Sequence, residues 1–310
     1  GLQLAFNVHG EFSMGGLIAA NSGDPGPVGV PGANHFYDDG YVRVDNTGNA
    51  GGYTSFWGYS DASQYDAARN RLVYRNTRGF SVDEQTIEES AGTSLGFELA
   101  YGGRIYDWQR VRLGWEVAYG RMPFEIEDSQ ALPATFARVV HSYDVGGIAL
   151  PTAPYQGGPS GVGPVLRDIA QAETPEISRG TLTGARSIDV ALHSLRLGPT
   201  LFWRFQRRWA LTGSLGPVVG LVNGGYRFNE TFVFDNGTTA SNSGSDDDLE
   251  FVFGGYVSAT VLYRVIWNAD LYLSAQFMSL GDVDYQSGGR QARLDLGAAV
   301  MTSIGINWPF

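Results

Sequence analysis

Four histidines, His9, His35, His141 and His193, are the side chains of this sequence best suited to moving protons near neutral pH. His9 stands two residues before Glu11, His35 just before Asp38 and Asp39, and His193 four residues after Asp189. His141 adjoins Ser142, but neighbours on an extended chain point to opposite sides. None of these spacings builds a triad, so each histidine is read as hydrogen-bonded or solvated, no catalytic residue is assigned, and the protein is expected not to be an enzyme. The chain has no Cys and no lysine: all 21 cationic side chains are Arg, which removes thiolate ligands and lysine nucleophiles. The acidic segments "HFYDDG", "DNTGN" and "SDDDLE" offer oxygen ligands for a hard cation, yet none has EF-hand spacing. They are read as solvated loops, and neither metal nor cofactor is expected.

A second set of charges is spaced differently. Glu11, Glu98, Arg104, Arg110, Arg112, Glu116, Arg196, Arg204, Glu250, Arg264, Arg293 and Asp295 each sit within or beside runs in which every second residue is apolar. That is the period of a β-strand with one apolar and one polar face. The last residues show it best: Leu294, Leu296, Ala298, Val300, Thr302, Ile304, Ile306, Trp308 and Phe310 alternate with Arg293, Asp295, Gly297, Ala299, Met301, Ser303, Gly305 and Asn307. One strand of about seventeen residues is expected here, far longer than the usual 5–6 and long enough to cross a bilayer at a barrel's tilt.

The pattern repeats in pairs. Leu2, Leu4, Phe6, Val8 and Phe12 open the chain; Leu95–Tyr101 and Val111–Tyr119 flank "YDWQ"; Leu195–Trp203 and Leu211–Leu221 flank "QRR"; Phe251–Tyr263 and Leu271–Phe277 flank "WNAD". Ile188, Val190 and Leu192 run in the opposite phase to Leu195 onward, which predicts a bulge near His193 or the end of the wall there. With the terminal strand the count is about eight, or ten if "GYVRVD" and "YTSFWGY" join the wall. The expected fold is therefore all-β, a single-domain up-and-down antiparallel transmembrane barrel over residues 1–310. Short turns define one rim, and long loops at about 14–92, 123–184, 228–248 and 282–290 the other. A short helix is predicted at "GPVLRDIAQAE". Trp108, Trp203, Trp209, Trp267, Trp308 and Phe310 cluster at the short-turn rim, as an interfacial girdle would.

Composition agrees. Mean hydropathy is -0.14 and no run of eighteen apolar residues occurs, which excludes a membrane-spanning helix but not a barrel. A formal charge of -11 without a basic run disfavours nucleic acid as a partner. Opening at Gly1 inside a patterned segment reads as a mature, exported chain.

The alternation through Ile304, Ile306, Trp308 and Phe310 resembles the C-terminal assembly signal of bacterial outer-membrane β-barrels, and the strand framework is similar to the small eight-stranded OmpA/OmpX-like barrels. The resemblance implies an outer-membrane location with both termini periplasmic and the long loops extracellular. Implied partners are membrane lipids, lipopolysaccharide, the assembly machinery, and other copies or cell-surface proteins met through the loops. A barrel this narrow is filled by side chains, so the charged set above is expected to form an Arg/Glu network inside it. The role expected is structural or surface-binding, with a small gated pore as the alternative and a lipid-modifying enzyme third.

Overall fold

The computed structural model describes residues 1–19, 23–234, 239–266 and 269–308. In chain order the strands begin with β1 (Leu2–Phe6) and β2 (His9–Ala19). Five short ones follow, β3 (His35–Tyr37), β4 (Gly40–Val42), β5 (Tyr53–Thr54), β6 (Trp57–Tyr59) and β7 (Tyr65–Asp66). Next come β8 (Arg71–Ser90), β9 (Ser94–Trp108), β10 (Val111–Asp128) and β11 (Leu132–Asp144), then the short β12 (Tyr155–Gln156), β13 (Leu166–Arg167) and β14 (Gln171–Ala172). The chain continues through β15 (Glu176–Arg204), β16 (Trp209–Phe234), β17 (Thr239–Ile266), β18 (Ala269–Ser279), β19 (Val283–Ser287), β20 (Arg290–Asp295) and β21 (Ala299–Asn307). Among the described residues, two three-residue turns, Ala50–Gly52 and Ala62–Gln64, are the only helical pieces, and no helix is long and apolar enough to cross a membrane.

Every pairing is antiparallel, and the main sheet closes on itself. Its order runs β10-β9-β1-β21-β18-β17-β16-β15, and β10 pairs again with β15 from Val111↔Trp203 to Asp128↔Arg186. Beyond this ring β15 continues against β11, which leads through β8, β2 and β20 to β19. Side chains span the remaining gap: Gln286 N donates to Asp246 Oδ2 at 2.8 Å and Ser287 Oγ to the Ser245 carbonyl at 3.0 Å. Among the described residues the sheet has fifteen strands where about eight were expected, because five of eight long paths are each interrupted (β1/β2, β8/β9, β10/β11, β18/β19 and β20/β21) and the short β7 and β14 add to β8 and β11.

Several expected loops are wall. Residues 71–90, 123–128, 132–144 and 176–184 are strand, as are most of 228–248 and 283–287. "GYVRVD" and "YTSFWGY" stay out of the main sheet: β4 and β6 lie with β3 and β12 in a separate four-stranded sheet, and β5 pairs with β13. "GPVLRDIAQAE" forms no helix, because Leu166 and Arg167 pair with Thr54 and Tyr53, and Gln171 and Ala172 with Ser142 and His141. These small sheets and their connections make a cap over the long-loop end. The cap has its own core of Val42, Trp57, Leu72, Tyr74, Tyr143 and Leu166, all fully buried.

The wall changes character at one level. Toward the short turns, Leu2, Leu95, Leu99, Leu195, Leu197, Leu215, Phe251, Phe253, Leu273 and Ile304 point outward and are more than half exposed. Toward the cap, the apolar side chains point inward: Phe12, Met14, Met122, Phe124, Ile126, Ile188, Val190, Leu192, Val222, Tyr226, Leu294 and Leu296 are all buried.

Two sequence devices produce the exchange. In β10, β15 and β16 the backbone keeps its parity and the residue types swap faces. The predicted bulge at His193 is absent, since β15 runs in unbroken register from Leu192 to Leu195 against both neighbours. The interrupted paths do the reverse. Along β20/β21 the even residues stay apolar, but the break at residues 296–298 moves them from inside (Leu294, Leu296) to outside (Ile304, Ile306). The seventeen-residue terminal strand is thus two strands of opposite facing. The breaks at Asn7, residues 91–93 and residues 280–282 act likewise, and they lie side by side. Ala91 N donates to the Val8 carbonyl at 2.8 Å, Leu280 N to the Leu296 carbonyl at 3.1 Å, and Asn7 Nδ2 to the Ala298 carbonyl at 2.9 Å.

Candidate functional site

Inside the ring, at the level of the outward apolar belt, Arg196 is the hub. Its Nη1 donates to Glu98 Oε2 at 2.6 Å and to Gln276 Oε1, while Nη2 lies 3.5 Å from Glu116 Oε1. Gln3 Nε2 reaches the same Glu98 carboxylate at 3.3 Å, Ser214 and Ser258 share a hydrogen bond of 2.6 Å, and the Arg196 guanidinium lies 5.2 Å from the Tyr256 ring centroid. β15, β9, β10 and β18 bring these groups together because each points its polar parity inward here. Of the expected lumen charges, Glu98, Glu116 and Arg196 do form one network.

Above this layer the interior is apolar. Met122, Phe124, Ile188, Val190, Leu192, Val218 and Val222 are at most 2% exposed. Above them again sits an ionic quartet that periodicity did not single out. Arg186 Nε donates to Glu230 Oε1 at 2.6 Å and its Nη1 to Asp128 Oδ2 at 2.5 Å, while Arg290 donates to Glu230 Oε2 from Nε at 3.0 Å and Nη2 at 2.9 Å. Two guanidinium groups balance two carboxylates, and no member's side chain is more than 2% exposed. The sequence signal was available, since all four share parity with buried apolar neighbours, but Glu230 lay in an expected loop and Arg186 beyond an expected bulge.

The other expected lumen residues lie outside this network, and three of them face outward. Arg293 and Asp295 face outward, because Leu294 between them is fully buried; Arg293 pairs with Asp284 at 2.7 Å. Glu11 is outward too, flanked by buried Gly10 and Phe12 and paired across the strands with Arg293 and Glu88. Glu250 keeps the inward parity of β17 beside buried Val252. Arg104, Arg110, Arg112, Arg204 and Arg264 gather at the open short-turn end, where Arg264 holds Asp270 at 2.8 Å and Asp107 takes Arg104 and Arg112 at 2.9 and 3.2 Å. Ile304, Ile306 and Trp308 face outward as expected, each more than half exposed; Phe310 and Trp267 lie outside the described residues.

The histidines occupy four separate places. His9 Nε2 contacts Asn7 Oδ1 at 3.2 Å on the outer wall. His193 Nδ1 and the Tyr119 hydroxyl, both on the outer wall where the belt ends, are 2.7 Å apart. His35 and His141 belong to the cap. His35 Nδ1 lies 2.6 Å from the Pro25 carbonyl, and the Tyr37 hydroxyl sits 2.9 Å from both His141 Nδ1 and the Tyr143 hydroxyl. Among the described residues, no imidazole hydrogen-bonds a carboxylate or a serine, and no cluster of His and carboxylates suits a metal ion.

Burial sets the protonation states of the cap. It pushes the Tyr37, Tyr74 and Tyr143 hydroxyls above their ordinary range, and lowers His141, with His35 and Arg78 adding repulsion, so the imidazole is neutral at pH 7. Asp45 is held well below the usual carboxylate range by the Thr47 hydroxyl, then by the backbone N–H of Ser55, with the amides of Thr47 and Asn49 assisting. Glu173 is lowered by the Ser142 hydroxyl, at 2.5 Å, and by Arg71, at 2.8 Å.

No protein-family model matches the chain, and no curated protein matches its sequence. Among solved structures, the outer membrane protease OmpT from Escherichia coli is 10% identical over 100% of this chain and 96% of that one, with a TM-score of 0.34. OmpT, an outer membrane protein of Vibrio cholerae, is 7% identical over 99% and 96%, with a TM-score of 0.14, and a Pseudomonas aeruginosa FadL homologue is 11% identical over 99% and 89%, with a TM-score of 0.15. At these scores no residue role or activity carries across.

Proposed function

We propose that this chain is an integral outer-membrane β-barrel with a sealed lumen, whose role is carried by its cap as a structural or binding element of the cell surface. The observation that supports this best is the exchange of faces at one level. An outward belt of Leu, Phe, Val, Ile and Trp is suited to lipid, and it stops where the wall turns polar outside and apolar inside. From Val300 to Trp308 the wall is long enough for the usual apolar band at barrel tilt. In this reading the eight-stranded ring spans the membrane, the short turns and the first and last strands' outer ends are periplasmic, and the cap is extracellular, beside lipopolysaccharide and within reach of other copies or surface proteins. The Arg196 layer, the apolar layer and the Arg186/Glu230 quartet in series argue against a pore, and the scattered histidines against a lipid-modifying enzyme.

The first test is depth. Brominated lipids in vesicles should quench Trp108, Trp203, Trp209 and Trp308 fluorescence and spare Trp57, which is buried in the cap; equal quenching of all would sink the reading. Planar-bilayer recording should stay silent after verified insertion. Reproducible conductance steps would restore the gated pore.

A further inference from the structure

The short-turn end carries a charge the rest of the molecule does not. Seven arginines (104, 110, 112, 204, 207, 208 and 264) lie there with two carboxylates, Asp107 and Asp270. That is a formal +5 in a chain of formal charge -11, which leaves -16 for everything else. Both carboxylates are already engaged, Asp107 by Arg104 and Arg112 and Asp270 by Arg264. Arg110, Arg204 and Arg207 make no ion pair among the described residues, and Arg208 reaches only the Tyr263 hydroxyl, at 3.3 Å.

Four of these cations, Arg204, Arg207, Arg208 and Arg264, line a shallow depression with Phe202, Trp209 and Asp270, whose carboxylate Arg264 holds. The Arg112 and Arg204 guanidinium groups lie 5.4 and 5.6 Å from the Phe202 ring centroid, held over one face-bearing apolar group. Just outward, Trp108, Trp203, Phe205 and Trp209 are each more than 40% exposed. Unpaired guanidinium groups at this density repel one another, and an anion with two accessible oxygens, a phosphodiester among them, relieves that by binding them bidentately.

We propose that the depression and its rim bind the phosphodiester headgroups of anionic phospholipids in the leaflet at the short-turn end. The lipid is favoured over a free anion because the unpaired arginines of the turns lie within two residues of an outward aromatic, Arg110 after Trp108 and Arg207 and Arg208 before Trp209, while Arg204, between outward Trp203 and Phe205, lines the inward side of the same rim. Aromatics at such positions mark headgroup depth. An anionic rather than zwitterionic lipid answers the net positive charge. The assignment rests on the membrane reading above.

The test uses the full chain folded in detergent micelles, with phosphatidylglycerol or phosphatidylcholine added and retained lipid counted by native mass spectrometry. Phosphatidylglycerol should be retained at least about fivefold more strongly, and Arg204→Gln, Arg207→Gln and Arg208→Gln together should erase the preference at about fivefold per arginine, the effect of one cation at an anionic surface. Arg227→Gln, on the cap side, should leave it intact. If the triple variant fails to fold, Arg207→Gln in the exposed turn should still cost its share. Equal retention of the two lipids, a preference that survives these substitutions, or binding of millimolar inorganic phosphate without any lipid preference would overturn the proposal. Bromolipid quenching of the same preparation keeps failure of the membrane reading separate.

Discussion

Asn7 and Ala298 meet where two neighbouring strands break: the Asn7 side-chain amide donates to the Ala298 carbonyl at 2.9 Å, and Asn7 itself is left-handed at φ 60°. One residue thus supplies both the backbone conformation that ends β1 and a bond that ties the break to its neighbour. Asn is among the few side chains tolerated in that region. Asn7→Gly should keep the turn and lose the bond, costing about 1 kcal/mol; Asn7→Ala should lose both and cost about 2 kcal/mol. Urea unfolding of the reconstituted protein, followed by tryptophan fluorescence, checks the order of the two.

These breaks also explain what was legible beforehand. Alternation at Leu95–Tyr101, Leu195–Trp203 and Phe251–Tyr263 named the belt strands and their tight turns, because every outward position there is apolar at period two. It named Arg196, Glu98 and Glu116 as interior partners for the same reason. Facing could not be read past a one-residue shift, since parity in the sequence is continuous while parity in space is not. Arg293, Asp295 and Glu11 were therefore assigned inward and stand outward. At His193 the opposite occurred: the pattern changed phase although the backbone did not, because the apolar side chains passed from the outer face of the wall to the inner one. A phase change alone does not distinguish a bulge from such an exchange of faces. The quartet needed long-range geometry, with Asp128 and Arg290 more than 160 residues apart.

The quartet should act as a unit. Glu230 accepts from both Arg186 and Arg290, so Glu230→Gln leaves two buried guanidinium groups facing one remaining carboxylate, Asp128. The expected loss is about 3–5 kcal/mol, the usual cost of breaking a buried pair from one side. Replacing Arg186, Glu230, Arg290 and Asp128 together by apolar residues should cost much less. A loss in the quadruple variant close to the sum of the four single losses would show that the four contribute independently.

Acid should loosen the cap in two stages. His141 is depressed below its ordinary value, so the neutral form stabilises the cap fully above about pH 6.5, the unfolded-state value, and that contribution falls as pH drops below it. Asp45 and Glu173 are depressed carboxylates, so their contribution is complete above the ordinary carboxylate range and is lost below about pH 4. Amide protection in residues 35–59 and 140–173, the slowing of exchange relative to an unstructured peptide at the same pH, should fall across both windows. His141→Gln should remove the first stage and leave the second, whereas protection that is flat from pH 7 to pH 3 would refute both assignments.

The belt makes the sharpest demand on a single side chain. Leu273 points outward midway along β18, is 61% exposed, and is paired across the strands with Val261 and Ile304, which are also outward. An arginine there must leave its charge in hydrocarbon or drag it to an interface, at about 2–4 kcal/mol near the bilayer midplane. Ser243 is likewise outward and exposed, but it lies on the cap side of β17, where the wall is polar. Leu273→Arg should therefore reduce the fraction folded into vesicles, read as heat-modifiable mobility on gels, while Ser243→Arg should fold like the parent. Both variants add the same charge to the same fold, so the difference reports only what surrounds the wall at each height. Equal folding of the two would mean that the belt does not meet lipid, and with it the membrane reading would fall.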